Sequence, residues 1–322
     1  MSSSEEEDIE VYVYNGVDEV PDDVTHVRVE PSVTVIPQFA FMRRYQLEEI
    51  ELPEGLLRIR EGAFLSCNSL RRIDIPSTVT DIEMCAFGYC NFSTISIPSS
   101  VKEIGHCAFM SCDKLEVAEL PNGLNEIGLR VFQNCVLLHT INIPSTIKDI
   151  GTSAFENCKS LDGITLPDGL RRLDEGAFCL CNSLQTINIP PNINPSPICG
   201  ATFRKCDSLS KVLFSEGVLE IEWYEFSNCN SLVSVNLPSS LKVIKENAFE
   251  CCERLNEIYM SDSLESIREG AFKKCNITNF RIPPLITNVD MSILKYNDGL
   301  VSIELSKRVT QIESITEYCI AF

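Results

Sequence analysis

A phenylalanine set in the motif Ala-Phe-x-x-Cys returns at Phe41, Phe64, Phe87, Phe109, Phe132, Phe155, Phe178, Phe203, Phe226, Phe249 and Phe272, and Leu294 holds the twelfth place. The intervals run from 22 to 25 residues and most are 23. A unit this short cannot bury its own apolar face, so it must stack on copies of itself. The repeat therefore overrides the two or three globular domains that 322 residues would ordinarily suggest. It predicts one solenoid over residues 11–322 behind an acidic tail at 1–10.

Each unit carries two apolar patterns. Ile73-Asp74-Ile75-Pro76, Ile141-Asn142-Ile143-Pro144 and Ile187-Asn188-Ile189-Pro190 alternate with a period of two, which places isoleucine inward and the middle residue outward on a short strand. Proline lacks the ladder donor and ends that strand. A second pair, such as Val79 and Ile82, Val101 and Ile104, Ile147 and Ile150 or Leu241 and Ile244, predicts an opposite wall. The stretch holding Ala63, Phe64, Cys67 and Leu70 spaces its apolar residues by three or four and reads as one turn of α or 3₁₀ helix. Val27, Val29, Val33 and Ile36 start the series, with Val11–Tyr14 as a capping strand. Thirteen strands at about 4.8 Å would make a stack roughly 60 Å long.

The pattern Leu-x-x-Ile-x-Ile-Pro-x-x-Val-x-x-Ile-x-x-x-Ala-Phe-x-x-Cys, covering residues 24–305, resembles the BspA-like branch of the leucine-rich-repeat family. The resemblance implies an α/β solenoid of about 13 repeats: a curved, right-handed coil, with a parallel sheet on its concave side and a role in binding other macromolecules.

Ten of the sixteen cysteines follow the anchor Phe by three residues. One position used in every coil predicts a small buried residue in a repeated slot, reduced and unreactive, and a reducing compartment. Cys85 and Cys107 hold equivalent places in adjacent coils. That arrangement admits two small turn residues or a redox pair. Zinc finds no support, since no Cys-x-x-Cys occurs and the histidines are His26, His106 and His139.

Catalysis needs unlike residues that converge, whereas a solenoid sets like residues in rows. No phosphate-cradling glycine loop, metalloprotease motif or nucleophile elbow occurs, so neither an enzyme, a cofactor nor a metal is expected. A formal charge of −19 opposes nucleic acid and anionic lipid. Arg43, Arg44, Arg58, Arg60, Arg71 and Arg72 form a local basic group that reads as solvated coil edges. No apolar run reaches membrane-spanning length, so no membrane insertion is expected. With Met1 as native start, the run Ser2-Ser3-Ser4-Glu5-Glu6-Glu7-Asp8 offers no export signal and predicts a cytoplasmic protein. That tail reads as a disordered solubility segment or as a phosphorylation site.

What remains is binding. Outward strand residues begin acidic at Glu49, Glu51, Asp74 and Glu119 and become small and uncharged at Thr94, Ser96, Thr140, Asn142, Thr165, Thr186, Asn188, Ser234 and Asn236. Rows of Thr and Asn either bond across the ladder or form a docking surface. The coil between Phe178 and Phe203 is the longest, holds Pro190, Pro191, Pro195 and Pro197, and must bulge. Trp223 and Tyr224 fall beside it in the next coil, and Leu213 replaces a polar outward residue. Pro195, Pro197, Leu213, Trp223 and Tyr224 are thus the candidate partner-binding residues, with sealing of the solenoid by Trp223 as the alternative. The expectation is a monomeric intracellular scaffold for a protein partner. Its rival is a surface or secreted adhesin for glycan or host protein.

Overall fold

The computed structural model describes residues 10–191, 193 and 200–313. The tail at 1–9, with its serines, lies outside them, as do Pro195, Pro197 and residues 314–322.

The chain is a β-solenoid of about 12 turns of parallel strands. Two hydrogen-bonded ladders run along it. In the first, Val11–Tyr14 pairs in parallel with His26–Val29, which pairs with Glu49–Glu51, and the register continues through Thr94–Ser96, Val117–Glu119 and Thr140–Asn142. Further along, Thr186–Ile189 pairs with Lys211–Phe214, Ser234–Asn236 with Glu257–Tyr259, and Asn279–Arg281 with Ser302–Glu304. The alternation read from the sequence holds in burial: Ile50, Ile95 and Ile141 point in while both neighbours of each point out. The second ladder is built of two-residue strands such as Arg58–Ile59, Asp81–Ile82 and Asp149–Ile150, whose inward Ile residues face the first ladder across the core.

The third wall corrects the expected helical turn and, with it, the α/β class. Among the described residues the one helix is a 3₁₀ turn at Met291–Leu294. Elsewhere this wall is a run of turns with two left-handed residues per coil, placed two before and two after the anchor Phe, as at Cys85 (φ 54°) and Tyr89 (φ 60°). A helix would aim its amides along its own chain. Here left-handed residues turn alternate amides toward the next coil, so that Phe39, Phe41 and Arg43 donate to the carbonyls of Glu61, Ala63 and Leu65 at 3.0, 2.8 and 2.8 Å. The remaining amides close local turns, as in Met42 to Phe39 at 3.1 Å. Backbone groups are therefore satisfied between coils and not within a helix.

Eleven phenylalanine rings stack through the core from Phe41 to Phe272, all essentially inaccessible, with neighbouring centroids 5.1–5.6 Å apart and planes within 12° of parallel. Tyr14 meets the stack edge-on at one end and Phe280 tilts against it at the other. Each ring contributes about 1.5–3 kcal/mol of apolar burial. Beside the rings runs a column of thiols. Each of the ten cysteines three residues after an anchor donates its S–H to the anchor carbonyl of the preceding coil, from Cys67 on Phe41 to Cys275 on Phe249, at 3.1–3.2 Å. The same place is taken at the C-terminal end by Asn297, whose Nδ2 donates to the Phe272 carbonyl at 2.8 Å. At the N-terminal end it is taken by Arg44, which reaches the Val20 carbonyl at 2.9 Å. Cysteine thus suits the slot by size and by its weak donor. Burial pushes the thiols up, Cys67 and Cys252 to about 12.

Candidate functional site

The outward face of the first ladder divides by charge. Its first coils carry charged residues that satisfy one another: Arg28 Nε donates to Glu51 at 2.6 Å and Arg72 pairs with Asp74 at 2.8 Å. The flanking basic group behaves alike, since Arg44, Arg58, Arg60 and Arg71 pair with Asp22, Asp81, Glu83 and Glu48 at 3.1–3.6 Å. Further along, one outward column reads Asn142, Thr165, Asn188, Leu213, Asn236, Tyr259, without a formal charge and exposed throughout. Among the described residues, Asn142, Asn188 and Asn236 make no side-chain hydrogen bond to a neighbouring coil. Their amides face solvent with donors and acceptors open. Cross-ladder bonding, one of the two readings of these rows, occurs upstream in the same column, at Ser96 with Glu119 (2.9 Å), and near the C-terminal end, at Ser302 with Asn279 (2.7 Å).

Of the five candidate residues, Pro195 and Pro197 lie outside the described residues, and the other three stand on two walls. Leu213 stands on this face, 44 % exposed, and Trp223 and Tyr224 stand on the turn wall. Trp223 is half-buried, its ring lies against Gly200, and a Cβ at Gly200 would fall 2.7 Å from two ring atoms, so the contact requires a residue without a side chain. Tyr224 is edge-on to Trp223 with centroids 6.1 Å apart, adopts a left-handed φ of 55°, and lies under the Arg204 guanidinium at 5.7 Å.

Sequence reasoning missed the residues beneath this corner. The position before the anchor Phe is a fully buried alanine at Ala63, Ala86, Ala108, Ala154, Ala177, Ala248 and Ala271, yet it is Thr202 and Glu225 in two adjacent coils. The Thr202 hydroxyl donates to Glu225 Oε2 at 3.2 Å. Burial, only partly offset by this bond, pushes the Glu225 carboxyl up to about 8, so that it holds its proton at neutral pH. It lines a cavity of about 50 Å³ together with Leu173, Ile193, Phe214 and Glu222. Glu222 is buried, more deeply than the half-buried Glu225, and is neutralised by Lys245 Nζ at 2.7 Å, which also holds Glu220 at 2.8 Å. Aligning the alanine column alone would have found both positions. Among the described residues no group of three or more His, Cys, Asp or Glu side chains could hold a metal ion, and no helix is long and apolar enough to cross a membrane.

These ladders and columns define a leucine-rich-repeat protein. The family model for the BspA-type leucine-rich-repeat region matches residues 34–162, 80–196, 125–243 and 194–301, and the chain belongs to that family. It is similar to a solved leucine-rich-repeat protein from Bacteroides ovatus at 24 % identity and a TM-score of 0.56, over 88 % of this chain and 84 % of that one. A leucine-rich cell surface protein from Faecalibacterium prausnitzii matches at 25 % identity and 0.53, over 88 % and 79 %. The pneumococcal vaccine antigen PcpA matches at 19 % and 0.56, over 94 % and 77 %, a likeness of fold alone. No curated protein matches the chain.

Proposed function

We propose that the chain is a non-enzymatic, cytoplasmic scaffold that receives a protein partner on the outward face of its first ladder. In this reading the coil is right-handed, its roughly thirteen repeats curve, and that face lies on the concave side. The observation that carries the reading is the open column Asn142, Thr165, Asn188, Leu213, Asn236. A chain of net charge −19 keeps charge off this stretch and leaves its amides unsatisfied, which suits a partner that supplies the missing hydrogen bonds. Trp223 and Tyr224, on the coil edge, form a secondary contact. The test is an affinity measurement on a partner isolated with the wild-type chain. The pair Asn142→Arg and Asn188→Arg should weaken binding about tenfold or more with the melting temperature unchanged. Wild-type affinity in that variant would end the reading.

A second reading, an adhesin for glycan or host protein, draws on the cell surface protein from Faecalibacterium prausnitzii. Antibody labelling of intact, unpermeabilised cells separates the two: surface signal supports the adhesin and its absence the cytoplasmic scaffold.

A further inference from the structure

Cys85 and Cys107 share one place in consecutive coils, two residues before the anchor, with φ of 54° and 57°. The Cys85 amide donates to the His106 carbonyl at 2.9 Å and the Phe87 amide to the Ala108 carbonyl at 2.8 Å, which sets the two turns flush. The Phe87 and Phe109 rings behind them lie 5.4 Å apart and within 6° of parallel. Adjacent coils at about 5 Å bring the two Cα atoms within the roughly 4.4–6.8 Å that a disulfide spans. The two side chains interact directly, and both are half-buried. In this they differ from the ten column thiols, each buried and bonded to an anchor carbonyl. Gly62 precedes the pair in its column and Arg130 follows it, so no third thiol joins them. Among the described residues the other half-buried thiols, Cys179 and Cys251, stand among charged groups such as Glu156 and Arg204 or Glu250 and Lys274.

We infer that Cys85 and Cys107 form a dithiol site that reacts with low-molecular-weight disulfides of the glutathione class and closes to a disulfide between coils. The Cys107 thiolate attacks one sulfur of RSSR, forming Cys107–S–S–R and releasing RS⁻, which takes a proton from water. Cys85 then gives its proton to solvent and attacks Cys107 Sγ, forming the Cys85–Cys107 bond and expelling the second RS⁻. Two protein thiols and one RSSR become one protein disulfide and two RSH, and the small disulfide takes up both electrons. Burial, then the neighbouring Cys107, pushes the Cys85 thiol up to about 11. Cys85 therefore forms thiolate poorly and takes the second step, where its target is already tethered beside it.

The experiment treats the reduced, full chain with glutathione disulfide and maps its peptides without reduction. The expected result is a Cys85 peptide joined to a Cys107 peptide, a loss of two hydrogens in the intact mass, and no change at the ten column thiols. Cys85→Ser should instead accumulate one glutathione adduct on Cys107. Separate, persistent adducts on both cysteines of the wild-type chain would overturn the inference, as would failure of both to react. The wild-type map decides the matter even where the variant does not fold.

Discussion

The coil of Phe155 and the coil of Phe226 share a backbone and differ in what they hold. In both, the anchor amide donates to the next coil, at 2.7 Å to Ala177 and 2.8 Å to Ala248. In both, the thiol three residues on reaches the previous anchor carbonyl at 3.2 Å, through Cys158 and Cys229. Yet Ala154 is fully buried where its counterpart is Glu225. The ladders fix the course of the chain, and the neighbours decide which side chains a column admits. Glu225 is admitted because Thr202 supplies a hydroxyl below it and a cavity opens beside it. Ala154 has Val131 below and Ala177 above, both fully buried, and nothing that could bond a carboxyl.

The sharpest way to break this contrast is to move the acid. Ala154→Glu should cost about 3–5 kcal/mol, because a carboxyl is buried without a partner in a packed column. Chemical denaturation measures the loss, and a cost under about 1 kcal/mol would mean that any coil tolerates an acid there. The reverse change, Glu225→Ala, should act through pH. The folded carboxyl titrates near 8 and the unfolded one near 4.5, so the native state retains a proton that the unfolded chain releases between these values. Stability should therefore be complete below 4.5 and fall as pH rises toward about 8, by at most a few kcal/mol. The alanine variant should flatten that slope in thermal melts, and an unchanged slope would assign the dependence to another group. Trp223→Ala should cost about 1–3 kcal/mol, less than a fully buried tryptophan, since Trp223 is only half-buried. A loss of stability with partner affinity unchanged would leave Trp223 as a seal. Smallest of all, Arg72→Ala on the paired face should shift stability by less than about 1 kcal/mol, and less still at high salt.

Much of this was legible beforehand. The anchors, the inward isoleucines and the thiol column rest on periodicity, and packing followed it, because each coil repeats the environment of the last. The turn wall was misread because three-to-four spacing of apolar residues is common to a helix and to a string of turns. Backbone handedness at Cys85 or Tyr89 leaves no mark in hydrophobicity. The open amides of Asn142, Asn188 and Asn236 were undecided between two readings, since whether neighbouring side chains bond depends on rotamers that a row of residue types does not specify. Glu225 was visible as a lone acid in the alanine column, but reading one coil at a time hides what a column displays.

The left-handed residues of the turn wall have a consequence for how the molecule comes apart. Among the described residues, twenty other than glycine hold positive φ, including Phe39, Leu180 and Tyr224. Each such conformation costs about 1–2 kcal/mol relative to the right-handed one. It persists because its amide is claimed by the coil above, as Phe39 is by Glu61 and Leu180 by Arg204. A terminal coil has a neighbour on one side only, so its departure relaxes local torsion and exposes half as much new surface as loss of a central coil. Unfolding should then run inward as fraying, and amide protons should exchange with a gradient that is fastest at both ends and slowest near Phe155.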